Sequence, residues 1–170
     1  MEELCTLEVA DLPQLAALCA ATLPYDDCSP GLLRYTFFTG DEADPVYRLG
    51  LREDGRLVAA AIGIVAAGRE GALEGHVKLV ATLPERQRRG HARRLLDELE
   101  GRFAAAGARA IQVSFSRRYF VPGVDLRHSK ALCLFDRRDY KRVWMTYNLD
   151  VDLAARSFDP STVRARLARE

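Results

Sequence analysis

Apolar and polar positions along the chain change period several times, and each change marks an element. Leu4 to Val9 alternates in the manner of a strand, and Asp11 then stands as an N-cap before a helical face of Leu12, Leu15, Ala16 and Cys19. Ser29-Pro30 repeats the cap-plus-proline signature and opens a second short helix through Leu32, Leu33, Tyr35 and Phe38, which Gly40 and Asp41 end. Val46 to Arg52 and Leu57 to Ala67 flank Asp54-Gly55, a dipeptide suited to the positive φ of a tight hairpin turn. Gly68 to Gly75 reads as a glycine-rich loop, and His76 to Thr82 as a further strand that halts before Pro84.

The period then lengthens. From Arg89 to Ala106 the residues Ala92, Leu95, Leu96, Leu99, Phe103 and Ala106 keep helical spacing, with Gly107 as the residue just past the end. Ala110 to Phe115 reads as a strand, Arg117 to Arg127 as irregular chain around Pro122-Gly123, and Ser129 to Arg138 as a short helix. A last strand is expected from about Tyr140 to Leu153, and the tail Ala154 to Glu170 reads as a linker with a short exposed helix. One strand-helix-strand crossover in a sheet that begins antiparallel gives a mixed α/β architecture, with one domain over residues 1–153.

Composition narrows the partners. A chain of 170 residues at 48% apolar content can bury one sizeable core, and its 25 basic and 24 acidic side chains nearly cancel, so no global field points to nucleic acid or an anionic membrane. The run Leu57 to Ala67 is too short to cross a bilayer and Met1-Glu2-Glu3 is acidic, so a soluble cytoplasmic protein is expected. Cys5, Cys19, Cys28 and Cys133 form no CxxC pair and no zinc-finger spacing, which predicts reduced, mostly buried thiols and no metal.

The chemistry concentrates in one stretch. A strand runs through Val77 to Thr82, a loop dense in arginine follows, and a helix opens with Gly90 and the small Ala92 in its first turn. Helix N-termini offer unpaired N–H groups and the positive end of the dipole, and small residues there let a pyrophosphate approach the backbone. Five arginines lie between Arg86 and Arg94. They either rim an anion or form a solvated helix face paired with Asp97 and Glu98. The GxGxxG fingerprint does not follow the strand, and the chain has no Gly-Lys-Ser/Thr. A nucleic-acid binder has against it the near-neutral charge and the lack of aromatic residues among the arginines.

The segment Gln87-Arg88-Arg89-Gly90-His91-Ala92 resembles the Gln/Arg-x-x-Gly-x-Gly/Ala signature of the GNAT N-acetyltransferases, and the element order from Leu4 to Leu153 is similar throughout. The resemblance implies the acyl-CoA N-acyltransferase fold: a mixed, mostly antiparallel sheet flanked by helices, with a bulged strand that splays from its neighbour. It implies acetyl-CoA as cosubstrate, with pantetheine pairing to main chain at Ala81, Thr82 and Leu83. The pyrophosphate would then meet the segment Gln87, Arg88, Arg89, Gly90, His91, Ala92 and Arg93. His128 to Tyr140 is similar to the family's Asn-x-x-Ala-x-x-x-Tyr-x-x-x-Gly-Phe segment, which puts His128 beside the coenzyme.

Departures bear on catalysis. His128 replaces the Asn, Phe135 replaces the Tyr that would protonate the thiolate, and Asp139-Tyr140 replaces Gly-Phe, Asp being able to adopt the left-handed backbone. A thiol of pKa about 8.5 leaves tolerably unassisted, whereas an amine of pKa about 10.4 must first lose a proton. A backbone N–H near Thr82 or Leu83 is expected to meet the oxyanion, Glu74 and His76 are candidate bases, and Tyr119 or His128 can stand in for Phe135. Tyr25, Asp26, Asp27, Tyr35 and Phe38 fall where the acceptor amine would sit, the acids favouring a cation. Tyr119 to Asp125 resembles a segment of tandem proteins of the family, which implies a two-lobed relative or a homodimer. The alternative to an N-acetyltransferase of small molecules or peptides is an acyl-CoA sensor, or the structural half of a larger assembly.

Overall fold

Two residues with positive φ, Asp54 (48°) and Gly55 (80°), turn the chain between β2 (Val46–Glu53) and β3 (Arg56–Ala67). Such φ values match the right-handed twist of the strands they join. The computed structural model describes residues 2–39, 45–68, 71–113, 120, 122–143, 145, 152 and 161. Its contacts divide the chain into one unit, Met1–Tyr140, and another, Lys141–Glu170.

Around the hairpin stand β1 (Glu2–Thr6), β4 (Leu73–Thr82) and β5 (Ala110–Val113), in the order β1-β2-β3-β4-β5. The first four pair antiparallel, and β5 joins β4 in parallel after the crossover through α3 (His91–Ala105). Between β1 and β2 lie α1 (Leu12–Thr22) and α2 (Pro30–Phe38), and α4 (Ser129–Asp136) follows β5. This is the mixed α/β architecture that the pattern implies, in the mostly antiparallel, helix-flanked form that the family resemblance implies.

Several boundaries shift for local reasons. β1 ends at Thr6 rather than Val9, because Glu8 donates its N–H to Asp11 Oδ2 at 2.9 Å and closes a tight turn over Val9–Asp11. Asp11 is the N-cap residue of α1, but its carboxylate goes to that turn and to Arg52 at 2.5 Å. At α2 the expectation holds: Ser29 Oγ accepts from Leu32 N–H, and Pro30 takes the first turn. α2 ends at Phe38, and Gly40 and Asp41 lie outside the described residues.

β4 begins at Leu73, three residues before the expected His76, since Leu73, Glu74 and Gly75 pair with Ala67, Ala66 and Val65. Gly75 is bare because of packing, not looping. A Cβ there would stand 2.4 Å from the Phe103 ring of α3, and one on Gly63 would meet the same ring at 2.4 Å. The two glycines make the seat into which fully buried Phe103 fits, worth about 2–3 kcal/mol of apolar burial. Leu95, Leu96 and Leu99 extend that face of α3 into the core.

At the end of α3 the Gly107 N–H meets Ala104 C=O and the Ala108 N–H meets Phe103 C=O, both at 3.0 Å, with Gly107 at φ 87°. This is the Schellman closure that the glycine predicts. Beyond α4, Asp139 adopts φ 60°, the left-handed conformation expected where the related segment has glycine. The strand expected from Tyr140 does not begin there: Tyr140–Val143 are not strand, and most of the remainder to Leu153 lies outside the described residues. Tyr140 is held elsewhere, its hydroxyl donating to Glu100 Oε1 at 2.9 Å and its ring meeting Phe135 edge-on at 5.1 Å. The cysteines are free, with Cys19 buried, Cys5 and Cys28 half-buried and Cys133 exposed on α4, so burial is less complete than expected.

The Phe103 seat generates a prediction. Gly75→Ala should destabilise the fold by about 1–3 kcal/mol through overpacking. Gly31→Ala, where a Cβ would meet nothing within 4 Å, should leave the midpoint of denaturant unfolding unchanged or raise it.

Candidate active site

The parallel pairing of β4 with β5 runs from Glu74↔Ala110 to Val77↔Val113. Beyond Val77 the described residues pair with β4 on its β3 side alone, up to Thr82. The register on that side slips between Ile62↔Leu79 and Gly63↔Val77, so Lys78 is the extra residue of a bulge. A bulge increases local twist and turns the strand from its neighbour. A cleft of about 340 Å³ opens along this stretch, lined by Val77 to Thr82, Val113, Gln87, the chain before α4 and α4 itself.

Main-chain polarity at the strand end follows from one bond. Leu83 donates its N–H to Val58 C=O at 3.0 Å, so by strand alternation Thr82 turns its own N–H and C=O the other way, toward the cleft. Gln87 Nε2 reaches that Thr82 carbonyl at 3.2 Å, and Lys130 Nζ of α4 donates to Gln87 Oε1 at 2.9 Å. These contacts tie strand end, loop and α4 together across one end of the cleft.

The loop into α3 is bent by left-handed residues at Arg88 (φ 65°) and Gly90 (φ 90°). Alternation of this kind lets successive amides converge on one side. Gly90 is the N-cap residue of α3, so the helix starts at His91 rather than Arg89, and the glycine is needed for its φ. No side chain caps this end, and the first helical bond is Arg94 N–H to Gly90 C=O at 2.9 Å. The amides of His91, Ala92 and Arg93 therefore precede any intrahelical acceptor.

The five arginines divide. Arg86 pairs with Glu53 at 2.7 Å, and Arg94 pairs with Glu2. Buried His91 lies 3.4 Å from each of the same two carboxylates, so the side chain stitches α3 to β1 and β2 while its amide stays at the helix entrance. Arg88, Arg89 and Arg93 are exposed and form no ion pair among the described residues. The solvated-face pairing expected for Asp97 goes to Arg138 at 2.7 Å, and that for Glu98 to Arg102 at 2.8 Å.

The facing wall is aromatic and charged. The His128 ring stands 5.7 Å from that of Tyr25, whose face carries the Arg127 guanidinium at 3.6 Å. Arg127 grips Asp125 and, with its backbone amide, pulls that carboxyl down to about 2. Burial raises the Asp26 carboxyl, against the opposing pull of His128. Two buried polar atoms of cleft-lining residues, Thr82 Oγ1 and His128 Nε2, have no hydrogen-bond partner among the described residues. Phe135 is buried in the cleft wall against Tyr140, whose hydroxyl is raised above its ordinary range by burial and by Glu100.

Of the residues singled out from sequence, Ala81, Thr82, Gln87 and His128 line the cleft, while Leu83 lies at the strand end with its N–H engaged. Glu74 and His76 are neighbours, 3.9 Å apart, with Glu74 also receiving Gln112 Nε2 at 3.0 Å; neither lines the cleft. Tyr119 lies outside the described residues. Of the acceptor-side residues, Asp26 lines the cleft. The local pattern gave no sign of the Thr82–Gln87–Lys130 contacts. Lys78, buried beneath the Phe37 ring at 5.8 Å, had a signal in hindsight: a charge inside an apolar strand marks a bulge.

Because Arg127 depresses the folded-state pKa of Asp125, the stabilisation it gives is present above the unfolded value, near 4, and is lost as pH falls toward 2. Asp125→Asn should therefore show a smaller fall in melting temperature than the parent chain over that acid window. The effect is modest because the pair is exposed.

With this geometry in view, comparison with known proteins identifies the group. The model of the acetyltransferase (GNAT) family matches residues 8–118. No curated protein matches the chain. Among solved structures, the GCN5-related glucosamine N-acetyltransferase region of a fungal multi-domain GH3 β-N-acetylglucosaminidase superposes with TM-score 0.82 at 20% identity. That match covers 100% of this chain and 20% of the fungal one. A ribosomal-protein-alanine N-acetyltransferase from Brucella melitensis biovar Abortus 2308 gives TM-score 0.65 at 17% identity, over 88% of this chain and 99% of that one. A Trypanosoma brucei acetyltransferase gives 0.62 at 17%, over 89% and 100%. The family match spans the bulged strand and the uncapped helix entrance and ends before the α4 wall of the cleft, and the chain belongs to the GNAT family of acetyltransferases.

Proposed function

We propose that this chain moves an acetyl group from acetyl-CoA to a primary amine of a small molecule or peptide. The observation that carries the reading is the uncapped start of α3 beside a strand whose end, from Lys78 to Thr82, lines a cleft. The amides of Arg88 to Arg93 hold the pyrophosphate, with Arg88, Arg89 and Arg93 as its cationic rim. Main chain near Ala81 and Thr82 pairs with pantetheine. The oxyanion is met by the Thr82 N–H rather than that of Leu83, which Val58 occupies.

Orphaned Thr82 Oγ1 and His128 Nε2 fit a ligand in the cleft, since a buried polar group left unpaired costs about 1–3 kcal/mol. The solved relatives are named for amines of different kinds, a glucosamine and a protein alanine, so the acceptor is defined here only as a primary amine. A second reading, an acyl-CoA-binding domain with little turnover, is favoured by one observation. Phe135 has no hydroxyl and the nearby Tyr140 hydroxyl is committed to Glu100. Glu74 and His76 remain proposed as residues acting on the amine only through a chain of water, given their place off the cleft.

Two isosteric variants test the phosphate site. Asn and Asp both tolerate the left-handed φ of Gly90, so they differ there mainly in charge. Gly90→Asn should keep the thermal stabilisation given by coenzyme A, about 2.7 kcal/mol at a hundredfold excess over Kd. Gly90→Asp should weaken coenzyme A binding at least roughly tenfold, because like charges would meet at the helix entrance. Equal responses from the two variants would remove the assignment. Turnover is checked separately, by thiol release from acetyl-CoA with glucosamine, 1,4-diaminobutane and an alanine-initiated peptide as acceptors.

A further inference from the structure

Resting on the acetyl-transfer reading, we propose that His128 is the general base of the reaction, taking the proton that the acceptor amine sheds as it attacks. Three observations converge on it. His128 is a cleft-lining residue, and its Nε2 is buried with no hydrogen-bond partner among the described residues. Holding a buried nitrogen unpaired is unfavourable unless a ligand completes it.

The second observation is what the side chain does not do. His128 is the N-cap residue of α4, a place where Asn, Asp or Ser would bond the helix amides, but its side chain makes no capping bond. Backbone serves the helix instead, with Ala131 N–H and Leu132 N–H both reaching His128 C=O. The imidazole is therefore not spent on the helix.

The third is the charge around it. Facing the ring from the segment after α1 are Tyr25, at 5.7 Å between centroids, and Asp26, with which it interacts electrostatically. From its own segment come Asp125, likewise coupled to it, and Arg127, already engaged by that carboxylate. Lys130 lines the same cleft but is held by Gln87, and Lys78 lines it from β4. The Asp26 and Asp125 carboxylates supply the negative charge that an imidazolium, once formed at this ring, would face.

The step balances simply. The nitrogen–carbon bond forms between the neutral amine and the thioester carbonyl, and the carbon–sulfur bond breaks with its electron pair leaving on sulfur. The proton lost by nitrogen goes to Nε2 and passes from there to the thiolate, giving amide and thiol. Phe135 then needs no hydroxyl, because the same imidazole that takes the proton returns it.

The test compares the parent chain with His128→Gln and His128→Ala, using acetyl-CoA with glucosamine, 1,4-diaminobutane and an alanine-initiated peptide from about pH 6 to about pH 9. His128→Gln should lower kcat/KM about 100-fold or more and abolish the ionising limb of the parent pH profile. Added imidazole should restore part of the rate of His128→Ala. His128→Gln should still bind coenzyme A, as its thermal shift would show, so that the loss falls on turnover. A rate within about threefold of the parent with the same limb would overturn the assignment, as would loss of the coenzyme A response. Transfer by the parent with His128→Gln undiminished removes this role alone, whereas coenzyme A binding by a parent that acetylates none of the amines removes the acetyl-transfer reading with it.

Discussion

A helix that begins without a cap needs a partner for its first amides, and much of this structure follows from how α3 begins. Left-handed turns at Arg88 and Gly90 bring the loop into the helix with no side chain available to cap it. The entrance is nonetheless held rigidly in place. Buried His91 lies between Glu2 and Glu53, Arg86 meets Glu53, and Arg94 meets Glu2, so β1 and β2 fix the position at which the helix dipole ends. At the other end of α3, Phe103 sits over Gly63 and Gly75 and fixes its tilt on the sheet.

The same placement gives the cleft its second wall. Lys78 bulges out of β4, the described pairing with β5 stops at Val77, and the strand from there to Thr82 lines the cleft. Gln87, bonded to both Thr82 C=O and Lys130, connects that strand end with the loop before α3 and with α4. Strand end, helix start and α4 are thus tied together in a frame around a shared opening. A ligand that is phosphate at one end and thioester at the other matches the order in which this frame presents amides and then a strand edge.

Much of this was legible in sequence where the cause is local. Asp54-Gly55 announced its turn, Ser29-Pro30 its helix start, Gly107 its helix end, and Asp139 took the left-handed conformation that the related glycine would have. What escaped depended on residues far apart in the chain. Gly75 read as loop because glycine breaks strands, and only Phe103, on another element, explains why it is inside one. Val9 read as strand, since the competing turn needed Glu8 and Asp11 to satisfy each other. The arginine cluster looked uniform, whereas carboxylates at Glu2 and Glu53, invisible to any local window, remove Arg86 and Arg94 from it. Tyr140 read as the start of a strand, and its hydrogen bond to Glu100 on α3 holds it out of one.

The direct test of the central claim watches the amides themselves. In a uniformly 15N-labelled sample, coenzyme A should shift the backbone resonances of Gly90, His91, Ala92 and Arg93, and pantetheine, which lacks the diphosphate, should leave them in place while moving those of Ala81 and Thr82. Coenzyme A that bound without disturbing the four resonances at the start of α3 would contradict the account.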